Sequence, residues 1–223
     1  MFRVVAMKEL REVSIILILV GAYWVLSTGV LENVLPTTLS GRVYRNQEVM
    51  IPFVTDGFQS NLAFFCGILA IGLGLRQTLG ESIHGTYLFL FHRPATRRWI
   101  IGAKLSIGIG VLSVCGVTLL MIHGIWAATP GTHASPFFWS MTIPCWMTVL
   151  QMTFLYLAAF LTGIRPGRWY GTRLFPLLAA APLVVVVGEL LPLESLWWIV
   201  IALAGDIWLL VTIFYVARTR EYP

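Results

Sequence analysis

The residues of this sequence that could do chemistry are few and gathered in short stretches. The densest is Gly80 to Arg98, where Glu81, His84 and His92 lie among Tyr87, Phe89, Phe91, Arg93, Arg97 and Arg98. Carboxylate and imidazole groups can exchange protons near neutral pH. However, His84 and His92 are eight positions apart, and no nucleophile or third ligand stands at a recognised spacing. Interfacial polar side chains explain them better than a metal pair or a catalytic dyad. Asp206 is the second candidate, an ionisable group within a long apolar run. Such groups are costly in lipid and face a bundle interior or a wet cavity. Its role is either a pathway residue or a packing contact to a polar neighbour such as Gln151 or Thr153. Third, Met141, Cys145, Met147 and Met152 surround Pro144. Soft ligands of this kind suit cuprous ion. Met147 is off the face shared by Met141 and Cys145, and thioethers also fill gaps in cores, so no metal is expected. Cys66, Cys115 and Cys145 are odd in number and form no C-x-x-C pair, which argues against a disulfide framework or a zinc site.

What must position these groups is set by composition. The chain is 58% hydrophobic and 11% charged, whereas soluble domains carry about 25% charged residues. In water this much apolar surface would be exposed in aggregating patches. Lipid removes that conflict. A net charge of +5 would suit nucleic acid only as a clustered basic face on a soluble fold. Here the basic residues separate apolar runs, and nucleic acid is not expected as a partner.

A helix needs about 20 apolar residues to cross the bilayer. Residues 14–31 and 57–75 carry no charge and predict the first two spans. From Leu105 to Ile164 there are 60 residues without Asp, Glu, Lys or Arg. Pro130, Gly131 and Pro136 break that run, so it predicts two spans, 99–128 and 137–163. Spans at 174–193 and 196–216 complete an all-α bundle of six. A central Asp206 costs roughly 3 kcal/mol on the insertion scale, against roughly −5 kcal/mol from the Leu, Ile, Val and Phe residues around it. Insertion of the last span wins. Residues 1–13 alternate Phe2, Val5, Met7 and Leu10 with Arg3, Lys8, Glu9 and Arg11, which predicts an interfacial elbow helix. Of 15 Lys and Arg residues, all but Arg42 and Arg45 fall in the segments that share one side. By the positive-inside rule both termini and residues 80–98 face the cytoplasm. A bacterial-type inner membrane is the expected location. Gly102, Ser106 and Gly110 stripe one face of the third span. Small residues at that spacing let helices approach closely, within the bundle or across a dimer.

Glu81, Gly85-Thr86, Phe89-Leu90, Arg93-Pro94 and Arg97 together resemble the signature of type-2 ABC exporter permeases. In that family the signature forms a cytoplasmic coupling helix between the second and third spans. The likeness extends to the elbow helix, the six spans and Gly102-Ala103-Lys104 at the start of the third span. Ser82 and His84 stand where members often have a basic residue after the glutamate. The resemblance implies a single permease domain over 1–223, paired as a homodimer or with a second permease chain. It further implies a separate cytoplasmic ABC ATPase that carries ATP and magnesium. That ATPase would dock on Glu81, His84, Gly85, Thr86, Tyr87, Phe89, Arg93, Pro94 and Arg97. No G-x4-G-K-[ST] phosphate loop occurs in the chain, so it is not expected to hydrolyse ATP itself. The competing readings are a membrane enzyme using His84, His92 and Glu81, and a scaffold without transport.

Overall fold

The computed structural model describes residues 51–83, 96–129, 136–165, 172–190 and 196–219, and five single helical positions, Met7, Arg11, Ser14, Ile18 and Gly21. Apart from those five positions, the expected elbow helix (1–13) and first span (14–31) lie outside the described residues. All regular structure in the described residues is helical: α1 (Phe58–Ile83), α2 (Arg97–Ala128), a 3-10 turn (Trp139–Thr142), α3 (Ile143–Ile164), α4 (Phe175–Leu190) and α5 (Leu196–Thr219). Four helical stretches among them are long and apolar enough to cross a membrane, namely Phe58–Leu79, Arg97–Ala128, Trp139–Ile164 and Ile199–Thr219. Phe175–Val185 is a shorter apolar helix. The chain is therefore an all-α membrane protein. Helices satisfy their backbone groups internally, which hydrocarbon demands.

Local chemistry sets the helix limits. Gly57 turns the chain at a φ of 71°, a conformation that costs glycine little, and α1 starts immediately after it. At its other end α1 runs past Leu75, beyond the limit expected from charge, to Ile83. Thr78 helps there by donating its hydroxyl to the Gly74 carbonyl at 2.8 Å. Pro144 lies in the first turn of α3, where a missing N–H breaks no helical bond. Pro182 lies inside α4. Close by, the Gln151 amide of α3 donates to the Val184 carbonyl, which ties these two helices together.

α3 is the hub. Within its apolar window 72% of residues are buried, against 17% for the window of α5. The run Tyr156, Leu157, Ala158, Ala159 and Phe160 is wholly inaccessible, so neighbours surround this helix on every side. α1 reaches it through Gly74, where a Cβ would stand 2.8 Å from the Phe160 nitrogen and the Tyr156 carbonyl oxygen. That is backbone against backbone, the close approach small residues permit in lipid. α2 buries Gly108, Leu112, Gly116, Leu120 and Gly124. Gly108 receives the Tyr156 ring, Gly116 the Val149 side chain and Gly124 the Trp139 ring.

The stripe of Gly102, Ser106 and Gly110 lies off this face. Ser106 is exposed, and a Cβ at Gly102 or Gly110 would meet nothing within 4 Å. Of the two alternatives for that stripe, packing within the bundle is not realised among the described residues. Both stripes have the same four-residue spacing, so spacing alone does not rank them. Shape complementarity with Tyr156 and Val149 decides which one turns inward.

Gly74→Leu should push α1 off α3 and lower stability by about 2 kcal/mol, in the range seen for overpacked cores. Gly110→Ala should leave stability unchanged or slightly raised, since alanine is the better helix former. Thermal unfolding of both variants in detergent checks this. Equal effects at the two sites would contradict the packing described.

Candidate functional site

The segment singled out by sequence joins the end of α1 to the start of α2. Glu81 lies in the last turn of α1, its side chain outside the described residues. His84, Gly85, Thr86, Tyr87, Phe89, Arg93 and Pro94 also lie outside them. Arg97 is the first residue of α2 and is exposed, with Thr96 as the N-cap residue before it.

Where the end of α1 meets the start of α2, the bundle holds a buried polar node that sequence reading did not single out. Lys104 is 2% exposed, Gln77 1% and Tyr156 inaccessible. The Lys104 ammonium donates to the Gln77 carbonyl at 3.0 Å. Gln77 Nε2 donates to the Lys104 carbonyl at 3.4 Å, and the Tyr156 hydroxyl donates to Gln77 Oε1 at 2.7 Å. Polar groups buried this deeply are tolerated because they are hydrogen-bonded. Three helices are thereby locked at one level: α1 through Gln77, α2 through Lys104 and α3 through Tyr156.

The same end carries further cations. Arg173, just before α4, donates from Nη2 to the Gly163 carbonyl at 2.9 Å and from Nε to the Thr162 carbonyl at 3.3 Å. These are terminal carbonyls of α3, and a cation there also suits the negative end of the helix dipole. Arg165 donates to the Thr172 carbonyl at 3.3 Å. Thr78 of α1 packs so closely on Gly163 that no larger residue fits at that position. The ends of α1 and α3 and the start of α2 therefore meet at one end of the bundle.

Asp206 lies within α5 and is 8% exposed, and its Oδ1 accepts no hydrogen bond among the described residues. Neither expected partner reaches it, because the Gln151 amide is engaged by Val184 and no bond joins Asp206 to Thr153. Beside it, Gly205 admits the Phe154 ring of α3, which would lie 3.0 Å from a Cβ. An unsatisfied polar atom buried inside a membrane helix is costly.

A separate groove of about 550 Å³ opens between α1, α3 and α4. Its walls are mainly apolar, with Gln59, Ser60, Thr148 and Gln151 as polar points.

The opposite end of the bundle has its own cluster. Asp56 accepts from the Phe58 N–H at 2.9 Å and the Phe53 N–H at 3.0 Å, and contacts His123 Nε2 at 2.8 Å. Phe58 stacks on the His123 ring at 4.0 Å, and Phe53 meets it edge-on at 4.8 Å. Phe53 holds a φ of 65°, which is uncommon for a residue other than glycine. Sequence reading did not single out this pair. The pair is separated by 67 positions, and no local pattern links them. Burial pushes the Asp56 carboxyl up, but the bond to His123 and the two backbone N–H groups outweigh it and hold the group below its ordinary 3.8.

Cys66 and Cys145 are buried free thiols and Cys115 is partly buried. No group of three or more His, Cys, Asp or Glu side chains with metal-holding geometry occurs among the described residues. Compared with family models, with curated proteins and with solved structures, the chain finds no match. Function must therefore be argued from these residues themselves.

A carboxyl held low in the fold stabilises it above its unfolded value and loses that effect as pH falls through the folded value. Asp56→Asn should thus lower the thermal midpoint at pH 7. The gap from the parent protein should persist down to about pH 4 and close below it. Midpoints measured from pH 7 to pH 3 check this, and a gap independent of pH would contradict the assignment.

Proposed function

We propose that this chain is the membrane-spanning permease subunit of an ABC exporter, moving its substrate out of the cytoplasm with ATP hydrolysed by a separate subunit. The observation that carries this reading is the resemblance of Glu81, Gly85-Thr86, Phe89-Leu90, Arg93-Pro94 and Arg97 to the coupling signature of type-2 exporters. One feature of the packing supports it. Both helices that bracket the segment are anchored in the Gln77–Lys104–Tyr156 node, so force applied to the segment would reach α3 without slack. Rigid-body transmission of this kind is how packed bundles switch between discrete states.

The ATPase, with its ATP and magnesium, is a partner chain that docks on residues 80–98 from the cytoplasmic side. Two permease chains pair, and the open stripe of Gly102, Ser106 and Gly110 offers small residues for such a contact. Six spans and an N-terminal elbow helix complete the architecture, with both termini in the cytoplasm of an inner-membrane protein. Asp206 is the candidate pathway residue. One of its carboxyl oxygens is buried without a partner among the described residues, and functional sites are where such costs are kept.

Gentle-detergent purification followed by mass spectrometry should recover a soluble ATPase with this chain. ATP turnover of the complex should survive His84→Ala and His92→Ala. A preparation without a nucleotide-hydrolysing partner, or an activity of the isolated chain lost on those changes, would favour a membrane enzyme instead.

For Asp206, replacement by Leu removes the unsatisfied atom. Stability should rise by about 1 kcal/mol, while transport-coupled ATP turnover of the reconstituted complex falls at least tenfold. Loss of stability and turnover together would make Asp206 a packing residue.

A further inference from the structure

At the end of the bundle that carries most of the basic residues, the start of α2 and the end of α5 enclose two adjoining hollows of about 650 and 540 Å³. Thr96, Arg98 and Arg218 line both. Trp99 and Tyr215 flank the first of them. Among the described residues no carboxylate lines either hollow, and the guanidinium groups of Arg98 and Arg218 make no ion pair there. Two cations lining the same hollows, with no carboxylate among the described residues around them, call for an anion.

The surroundings say what kind of anion. Tyr215 and Trp99 are exposed, and amphipathic rings of this type settle at headgroup level. Below Tyr215 along α5 lie Val211, Trp208 and Ile207, all more than 60% exposed. With Arg218 they follow the three- and four-residue steps that place side chains on one helix face. One continuous surface thus runs from two guanidiniums, past an interfacial tyrosine, along about two turns of apolar helix. A free phosphate would use only the first part of that surface.

We infer that this groove is a binding site for one anionic phospholipid, its headgroup phosphate held by Arg98, Arg218 and the Thr96 hydroxyl and an acyl chain laid along Val211 and Trp208. Basic pockets between membrane helices recognise anionic headgroups in this way, and guanidinium matches phosphate with paired donors. The lipid bridges α2 and α5, the first of which begins at the end of the 80–98 segment. The inference rests on the chain spanning a membrane and does not need the exporter reading.

Native mass spectrometry of the full chain released from nanodiscs tests it. The nanodiscs contain equal phosphatidylglycerol and phosphatidylcholine. The parent protein should retain phosphatidylglycerol in preference, and Arg98→Gln with Arg218→Gln should reduce that retention about tenfold. Arg98→Lys with Arg218→Lys keeps the charge and should retain most of it, which separates site loss from misfolding. Millimolar inorganic phosphate should not displace the lipid. Equal retention of the two lipids, no effect of the Gln pair, or displacement by phosphate would each overturn the proposal. A chain that cannot be incorporated into nanodiscs would remove the membrane reading, and this site with it.

Discussion

The contact on which the rest of this structure depends is the one between Gln77, Lys104 and Tyr156. It places a lysine ammonium, a glutamine amide and a phenol where α1, α2 and α3 cross, in a region otherwise closed to solvent. A charge taken into such a place is strongly destabilising when its partners are removed. The three helices are consequently held to one register. Sliding any of them would strand the lysine, the glutamine or the phenol. Apolar packing in lipid has no comparable selectivity, because lipid tails and leucine side chains are equivalent neighbours.

This node explains why the connection between α1 and α2 is anchored firmly at both ends. Gln77 lies within the last two turns of α1 and Lys104 within the first turns of α2. Gly74, Gly108 and Gly163 admit the close approach that the hydrogen bonds require. Arg173 closes the end of α3 at the same end of the bundle. In contrast, α5 is largely uncovered. Its one buried acid, Asp206, has an oxygen with no partner.

Much of this was open to reading from the residues. Length and hydropathy predict helices across 99–128, 137–163 and 196–216, and the helices found are Arg97–Ala128, Ile143–Ile164 after a 3-10 turn, and Leu196–Thr219. Apolar runs are long-range solvent arguments and need no partner. What escaped depends on partners. Charge counting ended the second span at Leu75, because the charged Arg76 follows it. Gln77 is instead buried by a lysine and a tyrosine, 27 and 79 positions away. Gly102 and Gly108 belong to different faces of one helix, and only the tyrosine on Gly108 distinguishes them. Asp56 and His123 met for the same reason, through tertiary folding alone. The coupling resemblance rests on residues 81–97, most of which lie outside the described structure.

The claim most exposed to test is that Gln77 and Tyr156 act as one unit. A double-mutant cycle on unfolding free energy measures it, using Tyr156→Phe in the parent chain and in a Gln77→Leu background. Removing the phenol hydroxyl from the parent strands Gln77 Oε1 and should cost about 1–2 kcal/mol. In the Gln77→Leu background the same change should cost little, so the two effects are coupled by about 1 kcal/mol or more. Equal costs in the two backgrounds would mean that the phenol and the amide do not meet, and the register argued here would have no foundation.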